Sequence, residues 1–250
     1  RDKDGKYFKS EKDRVIKKSD GYYTYLMSDM AYFYERFSLR KFDKVIMILG
    51  ADHHGYVDRA QAVVEILGHK GKLEVILVQL VKFLQGGKEV RMSKRKGNFI
   101  TLREVVEDIG VDSARYFFVS RDYNQHIDID IDIAKAQNSK NPIYYIQYAS
   151  ARIASVLSKS KVKKTTPATS NEKNKSKDTE SLFDKYEVSL MKKLSQYPEL
   201  IKEVGESHQV YRVAFYAHEL ATDFHKFYEN CKIVGDEKEA IRLKIVKATK

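Results

Sequence analysis

A single cysteine, Cys231, in 250 residues excludes an internal disulfide, and nothing in the chain asks for an oxidising compartment. With only 3 prolines and 12 glycines, the composition is neither collagen-like nor that of a disordered tail. Long hydrophobic runs are missing too. The longest, Val45 to Leu49 continuing into Gly50 and Ala51, falls far short of the roughly 20 residues a membrane span needs. The amino end, Arg1-Asp2-Lys3-Asp4, is charged and carries no apolar signal-peptide core. No methionine stands first, so the sequence reads as a piece of a longer, soluble, cytoplasmic protein. What is present suffices for real cores: 42% hydrophobic residues, among them 17 Tyr and 12 Phe, enough for one large domain or two ordinary ones. The net charge is +11, divided almost evenly between residues 1–140 and 141–250. Besides serving solubility, such an excess favours polyanionic partners: RNA, nucleotides or an acidic surface.

The first 120 residues alternate short apolar runs with amphipathic stretches, the pattern of a parallel α/β sheet. Ser19-Asp20-Gly21 between Arg14–Lys18 and Tyr22–Leu26 predicts a hairpin. Ser28 or Asp29 is then placed to cap a helix through Ala31, Phe33, Tyr34 and Phe37. Val45–Leu49 is apolar on both alternations, which predicts a strand covered on both faces. A helix from about Gly55 to Leu67, closed by Gly68, and a strand over Leu73–Val81 complete a strand–helix–strand unit. Ligands of such units gather at the carboxyl ends of the strands. Gly86-Gly87 punctuates the chain before a polar segment from Lys88 to Asn98, and Thr101 with Glu104 has capping-box spacing. Asp112–Val119 reads as a short helix.

From Asn141 the pattern turns helical, with Pro142 at the start of a long helix through Tyr145, Tyr148, Arg152 and Val156. Residues 159–181 are rich in Lys, Thr and Ser and read as a solvated connection. Helical periodicity returns over Phe183–Val204, Gln209–Asn230 and Glu237 onward. The expected divisions are therefore an α/β portion over 1–125, a connecting segment over 126–140, and an all-helical bundle over 141–250. Asp128, Asp130 and Asp132 mimic the start of a calcium loop, but Ile133 and Ser139 stand where glycine and glutamate are needed, so a strand with Asp132 capping the next helix is expected.

Three constellations carry chemistry. Arg91-Met92-Ser93-Lys94-Arg95-Lys96-Gly97 clusters cations and a small hydroxyl residue, which suits a triphosphate attacked at its α-phosphorus. A lysine that engages the pyrophosphate as charge develops there stabilises the transition state selectively, by on the order of 3 kcal/mol. The alternative is a basic surface loop. Gly50-Ala51-Asp52-His53-His54-Gly55 ends the most buried strand; glycine admits a ligand to the backbone and Asp52 suits ribose hydroxyls. Zinc at Asp-His-His lacks further ligands at the right spacing, so no protein metal site is expected. In Thr24-Tyr25-Leu26-Met27-Ser28-Asp29, the Asp29 carboxylate and the Tyr25 ring suit a guanidinium, or else Asp29 caps and Tyr25 packs.

Arg91-Met92-Ser93-Lys94-Arg95 resembles the Lys-Met-Ser-Lys-Ser loop of class I aminoacyl-tRNA synthetases, with Arg91 and Arg95 as departures. The ordered series is similar to bacterial arginyl-tRNA synthetases. It runs from Lys12-Asp13-Arg14-Val15 and Lys18-Ser19-Asp20-Gly21 through Thr24-Tyr25-Leu26, Asp29, Ala31-Tyr32 and Gly50–Tyr56. It continues with Met92–Arg95, Asp112–Phe117 and Asn141–Ala149, covering about residues 8–158 and more loosely the remainder.

The resemblance implies the second half of a Rossmann-like nucleotide-binding domain followed by a helical anticodon-binding domain. It implies adenylation of arginine with ATP and Mg2+ (the ion held through the ATP phosphates) and transfer to tRNA(Arg); no membrane partner is expected, and of the oligomeric states, which the sequence leaves open, a monomer is favoured. By motif position, Lys94, Ser93 and Met92 are catalytic; Tyr25, Asp29 and His53 line the arginine pocket; Gly50, Asp52, His54 and Lys94 hold ATP. Tyr144, Gln147, Tyr148 and Arg152 face tRNA, although helical spacing equally suits aromatics in a core. The family's His-Ile-Gly-His and Asn-Pro-Thr-Gly stretches are absent, so the chain alone is expected not to activate arginine. A non-catalytic synthetase-like tRNA-binding module is the alternative; a cysteinyl-type relative would show zinc-ligand cysteines.

Overall fold

A computed structural model describes residues 14–90, 101–160 and 183–250. The basic loop with Met92, Ser93 and Lys94, and nearly all of the expected 159–181 connection, lie outside the described residues. The chain packs as two compact units, one of Arg1–Val81 with Tyr123–Ile127, the other of Lys82–Asp122 with Asp128–Lys250. Among the described residues no helix is long and apolar enough to cross a membrane.

In the first unit the Asp-Gly hairpin forms, but it closes with a single antiparallel bridge, Lys17 to Tyr23. The Asp20 carboxylate accepts from the Tyr22 amide at 3.0 Å. Thr24 then stands at the N-cap of helix α1 (Tyr25–Tyr34), its hydroxyl turned back to the carbonyls of Val15 and Ile16. The expected cap at Ser28 or Asp29 is therefore wrong by a turn. The β-prone run Tyr22–Leu26 concealed the helix start, because burial of Phe33 outweighs local strand preference. A π-turn, Glu35–Leu39, ends α1. Strand β1 (Val45–Gly50) follows, then a 3-10 turn (Ala51–Tyr56), helix α2 (Val57–Ile66) and strand β2 (Leu73–Val78).

The two strands pair in parallel, Val45 opposite Leu73 through Gly50 opposite Val78. Their equal ends place the 3-10 turn at the carboxyl edge of the pair. One face is buried: Ala60, Val63 and Val64 of α2 pack with Phe33, Phe37, Val45 and Leu73. The expectation that β1 is covered on both faces is not met, since Ile46 and Ile48 are 44% and 67% exposed. The strand over Leu73–Val81 is really two, broken at Gln79, whose amide donates to the Tyr123 carbonyl.

The second unit opens with a hairpin of β3 (Val81–Gln85) and β4 (Lys88–Glu89), flanked by β5 (Ile127–Asp130) in the order β4-β3-β5. Gly86 and Gly87 both have positive φ, +58 and +74, as a two-residue turn of this hand requires. Helix α3 (Leu102–Ile109) starts with the full capping box of Thr101 and Glu104. Helix α4 (Val111–Val119) follows. Asp130, not Asp132, caps α5 (Ile131–Lys135), accepting from the amides of Asp132 and Ile133; Asp132 instead accepts from the Gly86 amide at 2.7 Å.

Helix α6 (Pro142–Lys159) begins as expected, with Asn141 as cap. The span Phe183–Val204 divides into α7 (Lys185–Ser195) and α8 (Tyr197–Ser207), with Pro198 in the first turn of α8. Helices α9 (Tyr211–Asn230) and α10 (Glu239–Thr249) complete the bundle. Its core draws Ala149, Ile153 and Val156 from α6, at i, i+4, i+7 spacing, onto Leu190, Phe224, Phe227 and Val246. A buried ion pair joins α7 to α10: Glu187 accepts from Arg242 Nε at 2.5 Å, and Arg242 also donates to the Lys232 carbonyl.

Candidate functional site

In the first unit the carboxyl edge of β1 and β2 carries the predicted acidic turn. At Gly50 a Cβ would lie 2.5 Å from Asp52 Oδ1, because the exposed Asp52 carboxylate folds back over the strand end and would have to turn away. Asp52, His53 and His54 are all exposed, with His53 Nε2 3.7 Å from Asp52 Oδ2. Among the described residues no group of three or more His, Cys, Asp or Glu side chains is arranged to hold a metal ion.

Asp29 reaches this turn from α1. Its Oδ2 accepts a 2.5 Å hydrogen bond from the hydroxyl of Tyr56, the last residue of the 3-10 turn. Burial of the ring, then the bond to Asp29 and its negative charge, raise the Tyr56 phenol well above its ordinary range, with Arg59 acting in the opposite direction. Arg59 lies over the Tyr56 ring, 5.4 Å from its centre, and donates Nε and Nη2 to the Gly55 carbonyl. Tyr25 stands at the first position of α1, 91% exposed, so it neither packs nor engages Asp29 in this structure. The arrangement thus unites Asp29 with the Gly50–Tyr56 turn across 27 residues of sequence. Tyr56 and Arg59 escaped the sequence reading, although Tyr56 closes the Gly-Ala-Asp-His-His-Gly motif.

In the second unit, Tyr144 and Tyr148 stack on the outside of α6 with ring centres 6.5 Å apart, and Tyr148 is 45% exposed. They are not core residues. Arg152 lies between the rings of Tyr148 and Tyr228, 4.5 and 4.7 Å from their centres. It also donates to the Tyr148 hydroxyl and sits 3.5 Å from Glu229. His225 faces Arg152 at 3.2 Å; burial first, and the Arg152 charge after it, depress its pKa, partly offset by its bond to the Tyr145 carbonyl and by Glu229. Tyr145, Tyr148, Arg152, His225 and Glu229 border a hollow of about 160 Å³. Gln147 is tied down, its amide donating to Asp112 of α4 at 2.8 Å. His225, Tyr228 and Glu229 lie too far along the chain for spacing to have linked them to Arg152.

Residues 6–162 match the model for the catalytic domain of class I tRNA synthetases of the arginine type, "tRNA synthetases class I (R), catalytic domain". The chain belongs to the class I arginyl-tRNA synthetase family. Residues 146–250 match the DALR anticodon binding domain. Among curated relatives, the arginine–tRNA ligase of Symbiobacterium thermophilum is 42% identical over 237 residues, covering 94% of this chain and 42% of its own. That of Bacillus subtilis is 40% identical over 246 residues, 97% of this chain and 43% of its own. A solved Campylobacter jejuni protein described as an arginyl-tRNA synthetase superposes with a TM-score of 0.82 at 35% identity, over 96% of this chain and 51% of that one. The Plasmodium falciparum arginyl-tRNA synthetase, at 23% identity and a TM-score of 0.68 over 97% of this chain and 45% of its own, shares the fold. The chain therefore spans somewhat under half the length of the curated synthetases it matches.

Proposed function

We propose that the protein carrying this chain is an arginine–tRNA ligase: it activates arginine with ATP to arginyl-adenylate and transfers the arginyl group to tRNA(Arg) in the cytoplasm. The observation that carries this reading is the meeting of Asp29 with the glycine-bounded turn at the carboxyl edge of the parallel strands. A half-buried carboxylate held there suits the guanidinium of arginine, and the family's motif order assigns Tyr25 and His53 to the same pocket. Asp52, whose carboxylate lies over Gly50, serves the adenosine ribose, with His54 adjacent.

In the reaction, the arginine carboxylate attacks the α-phosphorus of ATP and pyrophosphate leaves. Lys94, with Ser93 and Met92, stabilises the charge gathering on that leaving group. Mg2+ would reach the site with the ATP phosphates and would neutralise their charge there. Tyr144 and Tyr148, stacked and partly exposed, form the face offered to RNA, Arg152 braces it from between the Tyr148 and Tyr228 rings, and Gln147 steadies it through Asp112. Residues 1–125 would then be the catalytic portion, 126–140 the connection and 141–250 the anticodon-binding portion.

The test is arginine-dependent exchange of pyrophosphate into ATP by the intact gene product, with and without tRNA(Arg). Asp29→Asn should raise the arginine KM at least tenfold, with the ATP KM little altered. Exchange that ignores arginine, or an Asp29→Asn enzyme with normal arginine kinetics, removes Asp29 from the pocket. Tight tRNA binding without any exchange would favour a non-catalytic tRNA-binding module.

A further inference from the structure

We propose that Tyr56 is the positioning residue that makes the Asp29 carboxylate selective for a planar guanidinium over a point-like ammonium; this rests on Asp29 facing the substrate side chain. Tyr56 is fixed twice. Its ring packs against the core of the first unit, with Phe33, Val63 and Val64 in the same cluster, and the Arg59 guanidinium covers it while anchored to the Gly55 carbonyl. The hydroxyl at its tip donates to Asp29 Oδ2 at 2.5 Å. Among the described residues nothing else bonds the Asp29 side chain, so this one bond sets the rotation of the carboxylate plane.

That rotation matters unequally to different cations. A guanidinium presents N–H donors in a rigid fork, and its bonds to a carboxylate are strong only when the two planes are matched. An ammonium has three rotatable donors and accepts a carboxylate at almost any rotation. Freeing the Asp29 carboxylate should therefore cost arginine far more than lysine. Among the described residues no other group bonds Oδ1 or Oδ2, so the bond to Tyr56 orients the receptor without filling it.

Tyr56→Phe removes the hydroxyl and keeps the ring. In arginine-dependent pyrophosphate exchange by the intact gene product, it should raise the arginine KM about tenfold, the loss expected for a hydrogen bond to a charged group. The ATP KM and kcat should stay within about twofold, and inhibition by lysine should be unchanged, so that selectivity between the two falls. In an Asp29→Asn background, Tyr56→Phe should add no further effect on arginine. A fall in kcat and a rise in both Michaelis constants together would mark Tyr56 as a general structural contact and overturn the proposal. So would a full Tyr56→Phe effect that persists in Asp29→Asn. If Asp29→Asn raises the arginine KM but Tyr56→Phe does not, the role of Tyr56 fails alone. If Asp29→Asn is silent, the reading of the pocket fails first. Should Tyr56→Phe not fold, Arg59→Ala, which uncovers the ring, should give the same KM-only pattern in weaker form, and its absence counts against the proposal.

Discussion

Glu187→Ala should be among the most damaging single substitutions in the helical bundle. Glu187 is fully buried, and Arg242 is 7% exposed. The carboxylate makes two charge-assisted bonds, one from Arg242 Nε at 2.5 Å and one from the Asp184 amide at 2.7 Å, the latter closing the capping box of α7. Removing one member of a buried pair costs about 3–5 kcal/mol, chiefly because the other charge is left stranded. Here Arg242 keeps the Lys232 carbonyl at 2.7 Å and Asp236 at 3.1 Å, which places that part near the lower limit, about 3 kcal/mol. Losing the cap contact adds on the order of 1 kcal/mol, so the total is about 4 kcal/mol. With a urea m-value of about 2 kcal/mol per molar, the midpoint should fall by about 2 M. Urea titration followed by far-ultraviolet circular dichroism reads this directly. Glu187→Leu combined with Arg242→Met should recover most of the loss, because the paired replacement strands no charge. A loss under about 1 kcal/mol for Glu187→Ala, or a double variant no better than the single, would refute the reasoning.

Lys94→Ala in the intact gene product should slow arginine activation about a hundredfold while changing the arginine KM little; equal effects on both would make Lys94 a binding contact only. Gly50→Ala places a methyl group 2.5 Å from Asp52 Oδ1 and must turn that carboxylate away, yet the backbone there (φ −66, ψ 152) suits alanine. The ATP KM should therefore rise several-fold with the melting temperature nearly unchanged, and a normal ATP KM would free Asp52 from ribose binding. His225 has a folded pKa below its ordinary 6.5, so on acidification the unfolded chain takes up the proton first. The stability it contributes is intact above pH 6.5 and is lost as pH falls through its folded pKa; His225→Gln should flatten that part of the stability–pH curve, and an unchanged slope would contradict it.

Much of this architecture was legible because it is written locally. Thr101 and Glu104, Asn141 and Pro142, and Gly86-Gly87 each fix a boundary through bonds between near neighbours, and each boundary falls where the residues indicate. Misreadings arose where local signals compete. Tyr22–Leu26 prefers a strand but yields to helix at Tyr25, and the cap of α5 expected at Asp132 falls two residues earlier at Asp130. An apolar strand such as β1 cannot declare whether one face or two are covered, since Ile46 and Ile48 have the same character inside or out. In the candidate site the motifs named Asp29 and Asp52, whereas Tyr56 became visible only when folding brought α1 to the turn. The same holds for His225, 73 residues from the arginine it faces.

Tyr56 belongs to two structures at once: its ring is part of the apolar interior and its oxygen holds the carboxylate proposed to receive arginine. A loosening of the interior, even by a lost methyl group at Val63 or Val64, would be transmitted along one rigid phenol to the proposed Asp29 receptor. In such a molecule the fidelity of amino-acid choice would be worn away by mutations that never touch the ligand, and well before the fold itself gave way.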